Sequence, residues 1–510
     1  MRTSSLSKGD SEHQVVAESR HALQTSSRAY LVLVALATAL LAVLSFHALD
    51  AKTFWFDEAA SVQISRLDWH NFARILWRRE GNMSLYYLLL RFWLQLGSTP
   101  FLVRTLSVLF ALATVPTVYL LGRRLLSPRV GVIAAALLAV NAYEVRYAQE
   151  ARSYSLMVFL CTLSSLFFVK LVENPSRKNR VGYVLTSVLA IYAHFFSALL
   201  IVAQWLWLYF RDRSITQHRR EWAWIVGLSS PVFVFIAATG AGPLRWIPHP
   251  GLGDLWRLAL QFSGNGGAIL VCAYTVACVV AFLPRRPDSS KSEIKRSSLC
   301  FLLLWLLSPI AIGLAVSLVR PLFVIRYLIV CVPALILLVA EGLGRIRSNV
   351  LLACAIVVVG ALSLRGDISY YRQDFDVQRE DWREATKFLL KNSAPGDTLV
   401  FHIPMARMPY EYYRSFQAAS SGPEILYPNH GDSITFLDFV EKPNYSSLER
   451  ALPQHPRVWL VLSHAEAPTG IDSTGTALAD LIAANKIVKQ RVDFNAGLDI
   501  VLYATPGATP

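Results

Sequence analysis

Two adjacent carboxylates, Asp57 and Glu58, stand directly after the first long apolar run of the chain, in the segment Thr53-Phe-Trp-Phe-Asp-Glu-Ala-Ala60. Charged residues beside a bilayer are costly to keep there, so they usually have a function. A carboxylate at this place can take the proton from an acceptor hydroxyl as that hydroxyl attacks another molecule. The same two residues also fit a helix N-terminus with an acidic first turn. The positions of the other polar residues decide between these interpretations.

Further polar residues that suit a charged ligand occur later in the chain. The densest group is Gln149-Glu150-Ala-Arg152, which Tyr154 follows closely, and His194 and the pair Arg326-Tyr327 stand near other apolar segments. Arginine matches phosphate oxygens in a fixed fork geometry, so these side chains can neutralise a phosphate leaving group. The alternative is that they are ordinary interfacial residues, since tyrosine and arginine are common at headgroup depth.

The composition is that of an integral membrane protein, because 54% of the 510 residues are hydrophobic and only 16% are charged. The formal net charge of +14 comes from short basic clusters between apolar segments and not from one contiguous patch. This pattern sets membrane topology and does not indicate a nucleic-acid partner. The six cysteines lie within apolar segments without metal-ligand spacing, so we expect neither disulfides nor a zinc site.

The basic clusters also predict the topology of the chain. Residues 1–28 form a polar tail that we expect to be cytoplasmic, and the run from Ala29 to Leu49 is long enough to cross the bilayer. The apolar segment from Ser84 to Gly97 is shorter and carries Arg91 in its middle, so it is predicted to stay in the outer interface. Residues 29–365 then form a membrane domain with about eleven transmembrane helices.

This topology, derived without any appeal to chemistry, brings the candidate residues to one face. Asp57 and Glu58 follow the first crossing, and residues 181–210 are predicted to cross twice with a turn near His194. The same topology puts Arg326 near the outer face. For the acidic pair and the Gln149 to Arg152 cluster we therefore favour the functional interpretation. No phosphate-binding loop or dinucleotide fingerprint occurs in a strand–turn–helix context, so a soluble nucleotide donor is poorly supported.

Residues 366–510 differ in character from the rest of the chain. Short apolar runs at Thr398–Phe401, Val458–Leu462 and Ile500–Tyr503 are typical of strands, and Trp382 to Lys391 is predicted to be helical. We predict a soluble α/β domain outside the membrane, large enough to have its own core. The fold class expected from the whole sequence is a polytopic α-helical membrane protein with a C-terminal soluble α/β domain.

Several short motifs, in their order along the chain, resemble the bacterial GT-C glycosyltransferases of the protein O-mannosyltransferase and aminoarabinose-transferase type. The resemblance spans about residues 29–400 and rests on a single spanning helix followed by these segments: Phe54-Trp-Phe-Asp-Glu58, Leu85-Tyr-Tyr-Leu-Leu-Leu-Arg91, Arg104-Thr-Leu-Ser-Val108, Val118-Tyr-Leu-Leu-Gly-Arg-Arg124, Tyr147-Ala-Gln-Glu-Ala-Arg-Ser-Tyr154, Tyr192-Ala-His194, Arg326-Tyr327, Asp381-Trp-Arg383 and Pro395-Gly-Asp397.

The resemblance implies a GT-C fold and an inverting hexosyl- or pentosyltransferase that uses a polyprenyl-phosphate-linked sugar at the outer face of the membrane. Asp57 matches the catalytic aspartate of the first loop, Glu58 its acidic neighbour and Glu150 a second acidic position. The resemblance further implies that Arg152, Arg326 and His194 lie near the donor phosphate. The other predicted substrate-binding residues are Gln149, Tyr154 and Tyr327.

One departure from the family pattern concerns the first loop. Family members often carry a basic residue and two prolines before Leu-Tyr-Tyr, whereas this chain has Asn82-Met83-Ser84. Arg326 is therefore expected to carry more of the contact with the phosphate. No cofactor is certain: the paired acids could bind a divalent metal, but many relatives are thought not to need one.

The expected partners are the donor lipid, the bilayer and an acceptor that is a glycan, a lipid or a protein of the cell envelope. The expected location is the inner (plasma) membrane, with the N-terminus cytoplasmic. Two other classes remain open. A transporter or flippase for a lipid-linked sugar would also have many helices, although the sequence has no visible repeat and its charges cluster at one face. A non-catalytic membrane scaffold is the third class.

Overall fold

The computed structural model describes residues 28–212, 217–239, 247–284, 289–372, 380–417, 422–431, 433–440, 444–463, 466–467, 470–471 and 473–507. The predicted cytoplasmic tail lies outside these described residues except for Arg28. Within them the chain forms a large helical domain and then a C-terminal region that is built on a small sheet.

In the described part of the chain, the helical domain has sixteen α-helices. They are α1 (Arg28–Phe46), α2 (Phe56–Arg66), α3 (Trp69–Ile75), α4 (Ser84–Trp93), α5 (Pro100–Leu125), α6 (Pro128–Ala139), α7 (Ala142–Ala148), α8 (Tyr154–Glu173), α9 (Arg177–Ala193), α10 (Ser197–Asp212), α11 (Arg219–Thr239), α12 (Leu252–Phe262), α13 (Ala268–Phe282), α14 (Ser289–Ser317), α15 (Val332–Gly344) and α16 (Asn349–Arg372). A 3₁₀ segment, Ile325–Cys331, leads into α15.

Seven helices in the described part of the chain are long and apolar enough to cross a membrane, or eight if the bent pair α6 and α7 is one span. The bend between α6 and α7 is 61°. Helices α9, α10 and α13 coincide with predicted crossings but are shorter than the other spans. The chain is thus a multi-pass membrane protein, and the full number of about eleven crossings stays a prediction.

Local sequence explains where the helices of the bend begin and end. Ser127 accepts a hydrogen bond from the backbone of Val130, and Pro128 occupies the first turn of α6, where its missing N–H costs nothing. Asn141 accepts from the backbone N–H groups of Tyr143 and Glu144 and so begins α7 in a new direction. The bend makes the chain after α7 return across the end of α2.

The first loop holds short helices that lie between α1 and α5. Helix α4 and the 3₁₀ turn after it correspond to the segment that was predicted to stay in the interface, and this segment is not among the candidate spans. Arg91 donates to the carbonyls of Ser65 and Leu67, and its guanidinium lies 4.0 Å from the centre of the Trp69 ring. These contacts fix α4 against α2 and α3.

The C-terminal region contains a five-stranded sheet with the strand order β2-β1-β3-β7-β6. Its strands are β1 (Thr398–His402), β2 (Glu424–Tyr427), β3 (Arg457–Leu462), β6 (Ile487–Asp493) and β7 (Asp499–Ala504), and β4 (Glu466–Ala467) and β5 (Gly470–Ile471) form a separate pair. The first three strands are parallel, β7 runs antiparallel to its neighbour β3, and the edge strand β6 runs antiparallel to β7. The helices are α17 (Trp382–Asn392), α18 (Arg407–Arg414), α19 (Leu437–Val440), α20 (Ser446–Ala451) and α21 (Ser473–Ala483).

The three predicted strands and the predicted helix are therefore confirmed, and so is the α/β character of the C-terminal region. Asp381 caps α17 by accepting from the backbone of Glu384, and Asp397 binds Arg457 and Trp459 at the start of β1. Helix α16 continues to Arg372, beyond the predicted boundary at residue 365. The domain boundaries themselves stay predictions.

Candidate functional site

Helix α2 carries Asp57 and Glu58 in its first turn. Trp55 is the N-cap residue, and no side chain accepts a capping hydrogen bond there. The two acids thus take the favourable place for negative charge at a helix N-terminus. Their carboxylates nevertheless have very different surroundings.

Glu58 is fully buried and its carboxylate is engaged on both oxygens. The guanidinium of Arg104 on α5 donates to Oε1 at 2.8 Å and to Oε2 at 2.7 Å, and the backbone N–H of Ala151 donates to Oε1 at 2.8 Å. Both partners of this ion pair are almost inaccessible, with side-chain exposures of 0% for Glu58 and 1% for Arg104. The geometry gives Glu58 a positioning function, because it joins α2 to α5 and to the turn after α7.

Arg104 is a residue whose importance the sequence interpretation missed. Besides Glu58 it binds three backbone carbonyls of the connection between α1 and α2, those of Leu49, Lys52 and Thr53, at distances of 2.8 to 3.1 Å. A single guanidinium therefore binds three carbonyls of the connection that leads to α2. The available signal was an arginine next to a long apolar segment, since such residues are kept in membranes for a purpose.

Asp57 is the more open of the two acids, with 27% of its side chain exposed. Its Oδ2 lies 3.6 Å from Nη2 of Arg152, and Nη1 of Arg152 also donates at 3.3 Å to the backbone oxygen of Asp57, to Ser61 and to Tyr87. Nε of Arg152 is buried and has no hydrogen-bond partner among the described residues. This donor could therefore bind a ligand or water oxygen.

The network continues on the other side of Arg152 through residues that the sequence did not single out. Tyr87 on α4 donates to Oε2 of Glu80 at 2.9 Å. Burial raises the pKa of Glu80, and the charge of Arg152 and the hydrogen bond from Tyr87 oppose that rise. Glu80 and Asp57 thus both interact electrostatically with Arg152.

His194 lies in the turn between α9 and α10, as predicted, and its ring is fully buried. Burial lowers its pKa to about 3, helped by the charges of Arg152 and Arg326, so the imidazole is neutral. The backbone N–H of Phe196 donates to Nδ1 at 3.3 Å, which leaves the proton on Nε2. Nε2 has no partner in the described part of the chain and is therefore a second buried donor without an acceptor.

Aromatic rings surround His194 and Arg326. The ring of Tyr327 lies 4.8 Å from that of His194, and the ring of Tyr154 lies 6.2 Å from it. The guanidinium of Arg326 is 5.5 Å from the ring of Trp55 and interacts electrostatically with Tyr154 and Asp57. The structure thus brings together, from four separate parts of the sequence, Asp57, Arg152, Tyr154, His194, Arg326 and Tyr327.

Two other predicted site residues have partners of their own. Gln149 donates to the carbonyls of Ser45 and His47 at 2.9 and 2.7 Å, which satisfies the end of α1. Glu150 is buried, and its Oε1 lies 3.8 Å from Nε of Arg146. These contacts favour positioning functions for both residues, and their predicted roles in catalysis and substrate binding stay predictions.

The carboxylates of the paired acids face different partners, and the binding of a divalent metal stays a prediction. Both oxygens of Glu58 face Arg104, so Glu58 and Asp57 cannot turn their carboxylates to one ion without breaking a buried ion pair. Within the described residues, no group of three or more His, Cys, Asp or Glu side chains could hold a metal ion.

Comparisons with known proteins give the same picture of the fold. The sequence model of the family described as dolichyl-phosphate-mannose-protein mannosyltransferase matches residues 84–238, which run from α4 to α11 and include Arg104, Arg152 and His194. No curated protein sequence matches the chain. The family match therefore covers less than half of the chain.

Solved structures match over nearly the whole length. ArnT from Cupriavidus metallidurans bound to undecaprenyl phosphate is similar with a TM-score of 0.61 at 15% identity, over 94% of this chain and 99% of that one. The apo state of the same protein gives 0.61 at 14%, over 95% and 100%. The arabinofuranosyltransferase AftD from Mycobacteria gives 0.50 at 14%, over 94% of this chain but only 42% of AftD. The likeness to ArnT confirms the fold class, and the family match agrees with the resemblance inferred from the sequence.

Proposed function

We propose that the chain is a glycosyltransferase that moves a sugar from a polyprenyl-phosphate carrier to an acceptor of the cell envelope. One observation carries the proposal: a partly exposed carboxylate, Asp57, stands beside two arginines and a neutral histidine in a multi-pass protein with the fold of ArnT. Those groups suit a negatively charged headgroup next to a hydroxyl that must lose a proton.

The phosphate end of the donor would lie against Arg152, Arg326 and His194. Arg152 and His194 each have a buried N–H that bonds to nothing among the described residues, and Arg326 adds charge from the segment before α15. Charge-assisted hydrogen bonds from such groups stabilise a phosphate dianion as it leaves. Tyr154 and Tyr327 would shape the pocket around it.

Asp57 would act as the general base. The acceptor oxygen forms a bond to the anomeric carbon, the bond from that carbon to the phosphate oxygen breaks, and the acceptor proton passes to the Asp57 carboxylate. A single displacement of this kind inverts the configuration at the anomeric carbon. Glu58 and Glu150 would support the site by holding α2 and the turn after α7 in place.

The donor class follows from the neighbours and from the site together. The ArnT structure contains undecaprenyl phosphate, and the family match is named for a polyprenyl-linked mannose donor. We infer the same carrier class here, and an acceptor that is a glycan, a lipid or a protein. The sugar is a hexose or a pentose.

A divalent ion is not required by this account. Asp57 has one open carboxylate edge, and an ion there would have to share it with the acceptor hydroxyl. We expect turnover to survive a chelator such as EDTA, and loss of turnover that added Mg²⁺ or Mn²⁺ restores would show that an ion completes the site.

For the location we propose the inner (plasma) membrane, with residues 1–28 in the cytoplasm and the C-terminal region outside. The support is the distribution of basic clusters. Fusion of a reporter that is active only outside the cytoplasm to the C-terminus should give activity in cells. A stable fusion without reporter activity would indicate the opposite orientation, with the C-terminus in the cytoplasm.

The function is tested by incubating the purified protein in lipid nanodiscs with a panel of polyprenyl-phosphate sugars and envelope extracts. We expect release of free polyprenyl phosphate with one donor and an inverted linkage in the product, determined by NMR. The Asp57→Asn variant, purified in the same way, controls for contaminating enzymes. Absence of release with every donor, or an equal rate with both proteins, would contradict the proposal.

A further inference from the structure

The C-terminal region touches the membrane domain at the segment that leads into α2. Helix α18 packs beside α2, and Nε2 of Gln63 on α2 donates to the carbonyl of Met408 on α18 at 3.4 Å. The hydroxyl of Tyr412 donates to the carbonyl of Ser98, just before α5, at 2.9 Å. Helix α18 therefore contacts both α2, which carries Asp57, and the residue just before the N-cap of α5, which carries Arg104.

A chain of hydrogen bonds ends on the residues just before α2. The backbone N–H of Arg383 donates to Oγ1 of Thr53 at 3.2 Å, and Oγ1 of Thr53 donates to the hydroxyl of Tyr413 at 3.1 Å. The backbone N–H of Phe54 donates to the same tyrosine hydroxyl. Thr53, Phe54 and Tyr413 are buried, so the two bonds to the Tyr413 hydroxyl would be costly to lose.

The ring of Phe54 adds an apolar part to this contact. It is stacked on Tyr412 with a centroid distance of 4.9 Å and an interplanar angle of 13°, and the guanidinium of Arg104 lies 4.7 Å from its centre. Phe54 is itself fully buried. Arg104, which binds Glu58, and Tyr412 of the C-terminal region thus both contact the ring of Phe54.

Arg383 extends the contact toward α1. Its guanidinium donates to the carbonyls of Asp50 at 2.7 Å and Ala51 at 3.2 Å. Arg104 binds the carbonyls of Leu49, Lys52 and Thr53 on the same stretch. The whole connection between α1 and α2 is therefore shared between the membrane domain and the C-terminal region.

We propose that the C-terminal region forms part of the catalytic site, and that Tyr413 and Arg383 are positioning residues that determine where Asp57 lies. This inference rests on the proposed function of Asp57 as the base. The inference predicts an effect on the chemical step and not on donor binding. The groups proposed to bind the donor phosphate are at residues 152, 194 and 326, and none of them lies on the segment that Tyr413 contacts. A base displaced by a fraction of a bond length reacts more slowly although the donor still binds.

The test compares Tyr413→Phe with Tyr427→Phe in the full-length protein in nanodiscs. Tyr427 is a matched control, because its buried hydroxyl also accepts a backbone hydrogen bond, from Asn444, but lies on β2 and within the C-terminal region. Tyr413→Phe should lower kcat about tenfold with the donor KM within about twofold of wild type. Tyr427→Phe should leave both constants near the wild-type values.

A second measurement separates this inference from the proposed function. Hydrogen exchange of the peptide that covers residues 50–60 should be faster in Tyr413→Phe and in Arg383→Gln than in wild type or Tyr427→Phe. If wild type turns over no donor, the proposed function has failed and the exchange data alone decide the positioning claim. Equal exchange in all variants, or equal kcat for the two tyrosine variants, would overturn the inference.

Discussion

Asp57 and Glu58 are adjacent in sequence, but their carboxylates have contrasting surroundings in the structure. Both oxygens of Glu58 are bound by Arg104, and a backbone N–H adds a third bond. The Asp57 carboxylate is partly exposed, and its nearest arginine nitrogen is 3.6 Å away. A carboxylate whose oxygens are all engaged in a buried pair cannot accept a proton without breaking that pair, whereas an open one can. The comparison supports the proposed division of functions, in which Glu58 holds the site together and Asp57 acts as the base.

The same contrast extends to the surroundings of the two acids. On the Glu58 side, Arg104 and the C-terminal region hold every carbonyl from residue 49 to residue 53. On the Asp57 side, Arg152 and His194 keep buried N–H groups that have no acceptor among the described residues. A scaffold has its hydrogen bonds satisfied in the free protein, and a binding site satisfies them when the ligand arrives.

The largest expected effect is on the scaffold side. Glu58→Ala leaves the buried guanidinium of Arg104 without its counter-ion and should lower the free energy of unfolding by about 3–5 kcal/mol. Thermal unfolding in detergent measures it. The control is Glu173→Ala, which removes an exposed pair with Arg124 and should cost less than about 1 kcal/mol. Similar losses in the two variants would show that Glu58 is not a structural residue.

The next effect is on binding. Arg152→Gln and Arg326→Gln each remove a charged donor from the proposed phosphate site and should weaken polyprenyl phosphate binding by about ten- to a hundredfold. Arg320→Gln is the matched control, because Arg320 is exposed on the connection that leads to Arg326. Competition with a labelled donor measures the affinities. Equal affinity of the wild-type protein for polyprenol and for polyprenyl phosphate would contradict the proposed phosphate site.

The smallest effect concerns pH. The pKa of His194 is about 3 in the folded protein, against about 6.5 in an unfolded chain. Between these values the unfolded state binds more protons, so the free energy of unfolding should fall as the pH drops through this range. His194→Gln should flatten the dependence, whereas His70→Gln, at an exposed position on α3, should not. Denaturant titrations at several pH values check this, and identical slopes in all three proteins would contradict it.

The sequence predicted the positions of the helices and much of the convergence on the site. Apolar runs and basic clusters were enough to place Asp57, Arg152, His194 and Arg326 together, because topology depends on local patterns. The strands of the C-terminal region followed from equally local signals. The break at Asn141, where α6 gives way to α7 at a bend of 61°, was not evident from the apolar run alone.

What the sequence could not predict is how neighbouring polar residues divide their tasks. Glu58 differs from Asp57 only through Arg104 and Ala151, whose positions are distant in sequence and depend on how α5 and the turn after α7 pack on α2. Gln149 and Arg152 stand in one cluster, yet one satisfies the end of α1 and the other faces Asp57. Such differences arise from packing geometry, and residue type does not encode them.

The most direct test of the central claim is a single-turnover measurement with Asp57→Asn. The variant keeps the shape of the side chain and removes the base, so sugar transfer from bound donor should slow on the order of a hundredfold or more while donor affinity changes little. Asp50→Asn, in the same connection but with an exposed side chain, is the control and should transfer at the wild-type rate. Transfer by Asp57→Asn at the wild-type rate would contradict the claim that Asp57 is the reacting carboxylate.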